Sequence, residues 1–226
     1  MSTRIAIVVG AGAGLGQATA IALHGAGLTV VAVDRNEAGL KELPGEIHLE
    51  VADATDPAVP QPLVGRIAAE VGAPDILVNT IGAFELGDAL TVTPESLRQL
   101  MEVNLGAALW LTQAVVPHMQ EKGSGAIVHV AARPGLEPTV GYAAYGVTKA
   151  ALVHLVRTLD VELRPHGIRV NAVAPQLIAT AKNKAIFPPE MLARAVEPEA
   201  IAETIAFLVS DAAGPISGAV VPAYGG

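Results

Sequence analysis

The segment Val8-Val9-Gly10-Ala11-Gly12-Ala13-Gly14-Leu15-Gly16 decides the fold of this chain. It joins an apolar, β-branched run at residues 5–9 to a stretch with helical spacing at residues 15–24. Glycines in such a turn let the backbone approach a phosphate group, whose charge meets the N–H groups and the dipole at the helix start. The segment therefore predicts a strand, a pyrophosphate-binding turn and a helix. A tight packing corner would also need such glycines.

Two kinds of apolar segment alternate along the rest of the chain. Short runs without polar alternation are typical of strands buried on both faces, and they lie at residues 5–9, 30–33, 47–51, 76–78, 127–130, 170–173 and 219–221. Longer stretches with helical spacing lie at residues 15–24, 59–71, 94–121, 142–164 and 198–210. The alternation predicts an α/β fold with a single doubly wound parallel sheet of the Rossmann type, flanked by helices on both faces.

Composition excludes several classes of protein. The 226 residues are 51% hydrophobic and 16% charged and include no cysteine, which excludes a disordered chain and a small disulfide scaffold. The net charge of −8 argues against a nucleic-acid partner, and no apolar run approaches the roughly 20 residues needed to span a membrane. The six histidines show no metal-ligand spacing. We expect a cytoplasmic protein with one domain over residues 1–226, no metal, and a short substrate loop around residues 176–197.

Asp34 ends the second predicted strand, about 20 residues beyond the glycine turn. A carboxylate at this position hydrogen-bonds the ribose hydroxyls of an adenosine and repels a 2′-phosphate, which favours NAD over NADP. Arg35 follows directly and would favour a 2′-phosphate instead. We give Asp34 more weight because it holds the strand-end position and the glycine turn contains no basic residue. A solvated carboxylate is the alternative interpretation of Asp34.

Tyr145 and Lys149 lie four residues apart on a predicted helix, so their side chains share one face. An ammonium group beside a tyrosine stabilises the phenolate and lowers the pKa of the hydroxyl. The two residues are therefore a candidate acid/base pair, although this spacing is also common on helix surfaces.

In their order along the chain, these motifs resemble the short-chain dehydrogenase/reductase family. The matching positions are Gly10-x-x-x-Gly14-x-Gly16, Asp53, Asn79-Thr80-Ile81-Gly82, Asn104, Tyr145-Gly146-Val147-Thr148-Lys149, Gly218 and the closing Gly225-Gly226. The resemblance covers essentially the whole chain. It implies an oxidoreductase that passes hydride between NAD(P) and a small-molecule carbonyl/alcohol pair. It also implies a homotetramer or homodimer that packs through the stretches 94–121 and 142–164.

The resemblance also implies a role for each matched residue. Tyr145 would exchange a proton with the reacting oxygen, and Lys149 would hold the nicotinamide ribose and lower the tyrosine pKa. Asn104 would anchor a water that links Lys149 to solvent, unless it only caps or kinks its helix. Gly10, Gly14, Leu15 and Gly16 would contact the pyrophosphate of the cofactor, and Asp34 and Arg35 its adenosine ribose. Asp53 and the backbone of Ala54 would contact adenine, and Asn79 and Gly82 would form the wall beside the adenosine ribose. Ile178 and Thr180 would contact the nicotinamide carboxamide.

The chain departs from the family pattern at Ala132, which occupies the place of a serine that hydrogen-bonds the reacting oxygen. The loss of one such donor costs on the order of a hundred- to a thousandfold in rate. Another donor, such as Arg133 or Thr139, would compensate. Alternatively, the substrate does not need the serine, as in the dihydropteridine reductase branch, which is similar in having alanine here. A catalytically weak dinucleotide-binding protein, acting as a sensor or scaffold, is the third interpretation.

Two smaller departures lie at other strand or loop ends. Gln176 stands where the family commonly has glycine after proline, and Tyr224 stands where an acid often precedes the final glycines. Neither residue predicts a function by itself.

Overall fold

The computed structural model describes residues 3–225, so Met1, Ser2 and the last residue of the closing glycine pair, Gly226, lie outside it. Within this range seven parallel strands form one sheet in the order β3-β2-β1-β4-β5-β6-β7. The strands are β1 (Ile5–Val9), β2 (Thr29–Asp34), β3 (His48–Val51), β4 (Ile76–Asn79), β5 (Gly125–Val130), β6 (Ile168–Pro175) and β7 (Val220–Ala223). Each agrees within two residues with a run predicted from the sequence.

Helices cover both faces of this sheet, which confirms the predicted Rossmann-type fold. On one face α1 and α9 pack together, with Leu23 and Ile205 in one buried cluster. On the other face α3, α5 and α6 bury a second cluster that includes Ile67, Leu111 and Val156. The helices are α1 (Gly14–Gly25), α2 (Glu37–Leu40), α3 (Pro60–Glu70), α4 (Pro94–Met101), α5 (Ala107–Lys122), α6 (Ala143–Leu163), α7 (Ala181–Ile186), α8 (Pro189–Leu192) and α9 (Pro198–Val209).

The strand order positions the predicted motifs at one edge of the sheet. β1 lies between β2 and β4, so the order reverses beside it, and the register aligns Val9 with both Val33 and Asn79. Loops diverge from the carboxyl ends of the strands at such a reversal and leave a crevice for a ligand. The glycine turn after β1, Asp34 at the end of β2 and the loop after β4 therefore meet at this edge.

β3 differs from the prediction of strands buried on both faces. The side chains of Leu49 and Val51 are 42% and 54% exposed. β3 is the edge strand and has one neighbour, β2, so the rest of the sheet covers less of it than of the central strands.

Two segments contain structure that the sequence patterns did not indicate. The stretch 94–121, predicted as one helix, is interrupted by a π-helical turn at Glu102–Gly106 between α4 and α5. The loop predicted around residues 176–197 contains α7 and α8. Thr180 caps α7 because its Oγ1 accepts a hydrogen bond from Asn183 N at 3.2 Å, and Pro189 begins α8.

Between residues 3 and 225, no helix is both long enough and apolar enough to cross a membrane. The same part of the chain contains no cluster of three histidine, aspartate or glutamate side chains placed to hold a metal ion.

Candidate active site

The glycine turn is tightly folded against the ends of β2 and β4. The N–H groups of Gly10 and Ala11 donate to Val33 O at 2.8 and 3.1 Å, and Gly10 and Gly14 adopt φ values of +87° and +54°, which favour glycine. A Cβ on Gly16 would collide with the carbonyl group of Gly10.

The helix that follows the turn begins without a side-chain cap. The residue before α1 is Ala13, which offers no side-chain acceptor to the first N–H groups. Free N–H groups at a helix start favour an anion. The turn, with the buried Leu15 behind it, therefore fits the pyrophosphate of a dinucleotide.

Asp34 lies beside this turn, as expected from its place in the sequence. Its Oδ2 accepts a hydrogen bond from Gly12 N at 2.9 Å, and its Oδ1 accepts one from Asn36 N at 2.8 Å. The two backbone donors hold the carboxylate at the end of β2. Arg35 is exposed and points to Asp53, with Arg35 NH1 3.4 Å from Asp53 Oδ2.

Asp53 is ordered by its own turn beyond β3. Its Oδ1 accepts hydrogen bonds from Thr55 N at 3.0 Å and Thr55 Oγ1 at 2.6 Å. The Thr55 hydrogen bond, more than the nearby Arg35, holds the pKa of Asp53 below its ordinary value. Ala54, the next predicted residue, is buried. The structure thus brings Asp34, Arg35 and Asp53 to one end of the crevice.

Tyr145 and Lys149 lie on the first turns of α6, with Lys149 Nζ 6.0 Å from the centroid of the tyrosine ring. Lys149 is 3% exposed, and its ammonium donates to Val130 O at 2.8 Å. Burial lowers the pKa of Lys149 from 10.5 to about 8. The pKa of Tyr145 is raised by burial and by the neighbouring Tyr142. Burial of the phenol thus dominates the pKa of Tyr145 here, and the expected contribution of Lys149 to lowering that pKa stays a prediction.

Asn104 lies on the π-helical turn and is 1% exposed. Its Oδ1 accepts a hydrogen bond from Ala83 N at 2.9 Å. Its Nδ2 donates to Ala83 O at 2.9 Å and to Thr148 Oγ1 at 3.0 Å. Thr148 Oγ1 in turn donates to Tyr145 O at 2.9 Å. The carboxamide therefore connects the loop after β4 to the helix that carries Tyr145 and Lys149.

The side chain of Asn79 is turned towards the protein interior. Its Oδ1 accepts a hydrogen bond from Ile81 N at 3.0 Å, and its Nδ2 lies 3.5 Å from Nδ1 of the buried His129. Asn79 therefore hydrogen-bonds the backbone just beyond the end of β4. Gly82 lies on the other side of the same loop, where a Cβ would be 3.2 Å from Lys149 Nζ. The loop thus lines the site near Lys149.

The segment after β6 contacts the glycine turn through Thr180. Thr180 contacts the turn: a Cβ on Gly14 would lie 2.9 Å from Thr180 Cγ2. Ile178 lines the adjacent cavity. Of the two residues expected at the nicotinamide carboxamide, Thr180 therefore lies beside the glycine turn, and Ile178 lines the cavity that Tyr145 also lines.

A cavity of about 810 Å³ lies next to Tyr145 and Lys149. Ala132, which follows β5, is on its wall. Aromatic rings form much of the remaining surface: Phe84 stacks on Phe187 with centroids 5.8 Å apart and meets Tyr145 edge-on at 6.3 Å. Sequence reasoning missed Phe84 and Phe187. The sequence offered one indication, because aromatic residues are rare in it, at 3% of the chain. Four of these aromatic residues line this one cavity.

Comparisons with known proteins find similar chains over nearly the whole length. A family model described as enoyl-(acyl carrier protein) reductase matches residues 10–226. L-xylulose reductase of Bos taurus is 36% identical over 100% of this chain and 97% of its own length. The crystal structure of a 7α-hydroxysteroid dehydrogenase with NADH and 7-oxo glycochenodeoxycholic acid is 31% identical, with a TM-score of 0.92 over 99% of this chain and 93% of the other. A structure from Beutenbergia cavernae with NADP at low occupancy is 32% identical, with a TM-score of 0.89 over 98% and 95%.

Proposed function

The chain belongs to the short-chain dehydrogenase/reductase family and is an NAD(P)-dependent oxidoreductase; we propose that it interconverts a carbonyl group and an alcohol and prefers NAD. The observation that carries the proposal is the pairing of Tyr145 with the buried Lys149 on the wall of the cavity. A buried ammonium is costly to maintain. The cost of burying the Lys149 ammonium is offset if its charge assists a reaction at the neighbouring Tyr145.

The residues divide the chemistry between them. When bound, the nicotinamide supplies the hydride in reduction and takes it up in oxidation. The Tyr145 hydroxyl gives a proton to the reacting oxygen in reduction and takes it back in oxidation. One hydride and one proton thus convert each C=O into a CH–OH. The Lys149 ammonium favours the phenolate that remains, and Asn104 positions the helix through Thr148.

The adenosine end supports the preference for NAD. Asp34 presents a carboxylate that Gly12 N and Asn36 N hold in place, and a 2′-phosphate beside it would meet a like charge. Arg35 is the feature that argues against a preference for NAD, because its charge could attract a 2′-phosphate. Its exposed guanidinium pairs with Asp53, so it would have to leave that partner to reach a 2′-phosphate.

We further propose that Ala132 holds the place of the family's catalytic serine. It follows the carboxyl end of β5, is 5% exposed and lines the cavity. An alanine there offers no hydrogen bond to the reacting oxygen. The enzyme would then use another donor or act on a substrate that needs none, with segment 176–197 as the substrate loop.

The test is NADH oxidation by the purified protein on a panel of ketones, imines and quinonoid substrates. Tyr145→Phe is expected to lower kcat by roughly a hundredfold or more, the usual value of a general acid, while NADH affinity changes less than about threefold. Tyr142→Phe is the matched control, since its ring lies 6.0 Å from that of Tyr145 on the same cavity. NADH binding without turnover of any substrate would instead favour a sensor or scaffold.

We also propose association into a homodimer or homotetramer through α4, α5 and α6. Apolar side chains on α4 and α6 are exposed in the single chain: Leu97 38%, Val147 62% and Val161 73%. Val161→Glu is expected to shift the molar mass measured by light scattering towards that of the monomer. An unchanged mass would place the contact elsewhere.

A further inference from the structure

Arg133 is fixed on the wall of the cavity, directly after Ala132. Its Nε donates to Glu137 Oε2 at 3.0 Å, and its NH1 donates to Gln176 Oε1 at 2.9 Å. The guanidinium carbon also lies 5.0 Å above the centroid of the Tyr224 ring. We call these four residues the Arg133 cluster.

The cluster is assembled by three neighbouring strands. Arg133 follows β5, Gln176 is the first residue after β6, and Tyr224 is the first residue after β7. Gln176 and Tyr224 are the two smaller departures from the family pattern noted in the sequence. They lie far apart in the chain, yet both contact the same guanidinium. Their common contact indicates that together they hold Arg133 in place.

The arrangement leaves donors of the guanidinium for a ligand. Glu137 occupies the Nε side and Tyr224 the ring face, and within residues 3–225 NH2 makes no hydrogen bond. NH1 keeps a second N–H besides the one that Gln176 accepts, and donors on two guanidinium nitrogens can bind the two oxygens of a carboxylate. Gln176 is neutral, so it orients NH1 without cancelling the charge. An arginine held by such partners loses less side-chain entropy when it binds an anion.

The charge of the cavity also suits an anion. Lys182 and Arg194 line it along with Arg133 and Lys149, while Glu137 and Glu190 are the acids among the lining residues. This basic excess occurs in a chain whose net charge is −8. At the Arg133 cluster itself, Glu137 compensates the charge of Arg133, so a singly charged carboxylate bound there leaves less unbalanced charge at the cluster than a dianionic phosphate does.

We propose that Arg133 binds a carboxylate of the substrate, so that the substrates are oxo acids and the corresponding hydroxy acids. The proposal rests on the proposed function, because it places a reducible carbonyl between Arg133 and Tyr145. It makes Arg133 a determinant of specificity, and it makes Gln176 and Tyr224 positioning residues.

The test uses matched pairs of substrates that differ only in charge: 2-oxo, 4-oxo and 5-oxo acids and their methyl esters. The readout is the ratio of kcat/KM for the acid to kcat/KM for its ester. We expect the wild-type ratio to be at least about 10 for the best chain length, because a charge-assisted bidentate hydrogen bond is worth roughly that much or more. Arg133→Met is expected to lower the ratio about tenfold or more, and Arg133→Lys to restore part of it.

Two further variants distinguish carboxylate binding by the Arg133 cluster from a general effect of the positive charge of the cavity. Gln176→Glu keeps an acceptor beside NH1 but adds a competing charge, so it should also lower the ratio. Lys182→Met removes a cation of the same cavity that the cluster does not hold, and its effect should be several-fold smaller. Equal effects of Arg133→Met and Lys182→Met would overturn the proposal. So would a wild-type ratio near 1, or equal losses on acid and ester in Arg133→Met.

Calorimetry keeps this test independent of turnover. The hydroxy acids of all three pairs are titrated into the wild type and Arg133→Met, each with NADH bound, and the Kd of the tightest-binding one should rise about tenfold or more in the variant. If the wild type turns over none of the acids, the esters or the ketone panel while this difference in Kd is present, the proposed function is refuted and Arg133 remains an anion site. An unchanged Kd would refute the inference itself.

Discussion

The ammonium of Lys149 lies 2.8 Å from the carbonyl oxygen of Val130, the last residue of β5. This hydrogen bond joins the helix that carries Tyr145 to the strand that leads to Ala132. Water is largely excluded from it, since Lys149 is 3% exposed. The hydrogen bond therefore fixes the geometry of the site, while the exclusion of water disfavours the positive charge on Lys149.

The stability of the protein without cofactor should consequently depend on the ionisation of Lys149. Burial lowers the lysine pKa from 10.5 to about 8, so between these pH values the unfolded chain binds more protons than the folded one. The free energy of unfolding should rise with pH across this window by about 3 kcal/mol relative to Lys149→Met. Urea unfolding of both proteins at several pH values between roughly 7.5 and 10.5 measures this rise. The range spans the pKa values of Lys149 in the folded and the unfolded chain. Parallel curves for the two proteins would contradict it.

The carboxamide of Asn104 should contribute to stability through its partners on two other elements. Asn104→Ala leaves the backbone N–H and C=O of Ala83 without their partner, which is expected to cost about 1–3 kcal/mol of unfolding free energy. Thr148→Val removes the second contact of Nδ2 together with the hydrogen bond from Thr148 Oγ1 to Tyr145 O. A double-mutant cycle should give a coupling energy of about 0.5 kcal/mol or more between the two side chains. Strict additivity would show that the 3.0 Å contact contributes nothing.

Alanine substitutions at two helical glycines should have opposite effects. Gly16→Ala places a Cβ against the carbonyl group of Gly10 and 2.7 Å from Thr80 Oγ1, so the turn must shift, and both stability and NADH affinity should fall. Gly65 lies on the exposed face of α3, and a Cβ there meets no atom within 4 Å. Gly65→Ala should stabilise the protein by about 0.5–1 kcal/mol. Thermal unfolding and NADH titration of both variants provide the comparison, and a stable, NADH-binding Gly16→Ala would contradict the expected collision.

The parts of this structure that could be predicted from the sequence are those encoded by local patterns. β-Branched runs gave the strands because buried parallel strands need apolar side chains on both faces. The glycine turn and Asp34 could be placed at the carboxyl edge of the sheet because their positions depend on a short segment and a strand end. The helical spacing of Tyr145 and Lys149 was sufficient to place them on one face of α6.

Features that depend on contacts distant in sequence could not be predicted in this way. The π-helical turn at Asn104 holds a carboxamide whose partners, Ala83 and Thr148, lie on other elements. The contacts of Gln176 and Tyr224 with Arg133 exist only once three strands are aligned. The pKa of Tyr145 was expected to fall because a helical neighbour is visible in sequence, whereas the burial that raises it is not.

Asp34 should set the choice of cofactor. The wild type is expected to bind NADH more tightly than NADPH, and Asp34→Ala should weaken NADH binding while improving NADPH binding, because the charge facing the 2′ position is removed. Arg35→Ala is the matched comparison at the adjacent, exposed residue and should weaken NADPH binding more than NADH binding. Calorimetric titration of both cofactors at one ionic strength measures this. Tighter NADPH binding by the wild type would show that Arg35 governs the site.

Ala132→Ser should restore a hydrogen-bond donor to the site. If Ala132 holds the place of the catalytic serine, kcat/KM on simple ketones should rise by roughly ten- to a thousandfold. A serine adds one oxygen at a position that already lines the cavity, so the fold should tolerate it. The comparison runs on a simple ketone and a quinonoid substrate. A gain on neither would mean that the site never used a donor at this position, while a loss on the quinonoid substrate would mean that alanine suits that chemistry.

The central position of β1 has a consequence for a chain that emerges from the ribosome amino terminus first. β2 and β3 extend the sheet in one direction, and β4 to β7 then extend it from the other edge of β1, so no strand has to insert between two that are already paired. The amino-terminal segments leave the ribosome first. The hydrogen bonds that join the glycine turn to Val33 O and hold the carboxylate of Asp34 all lie within residues 10–36, so their partners are all present before Tyr145 has been synthesised. Tyr224 is made last and completes the Arg133 cluster.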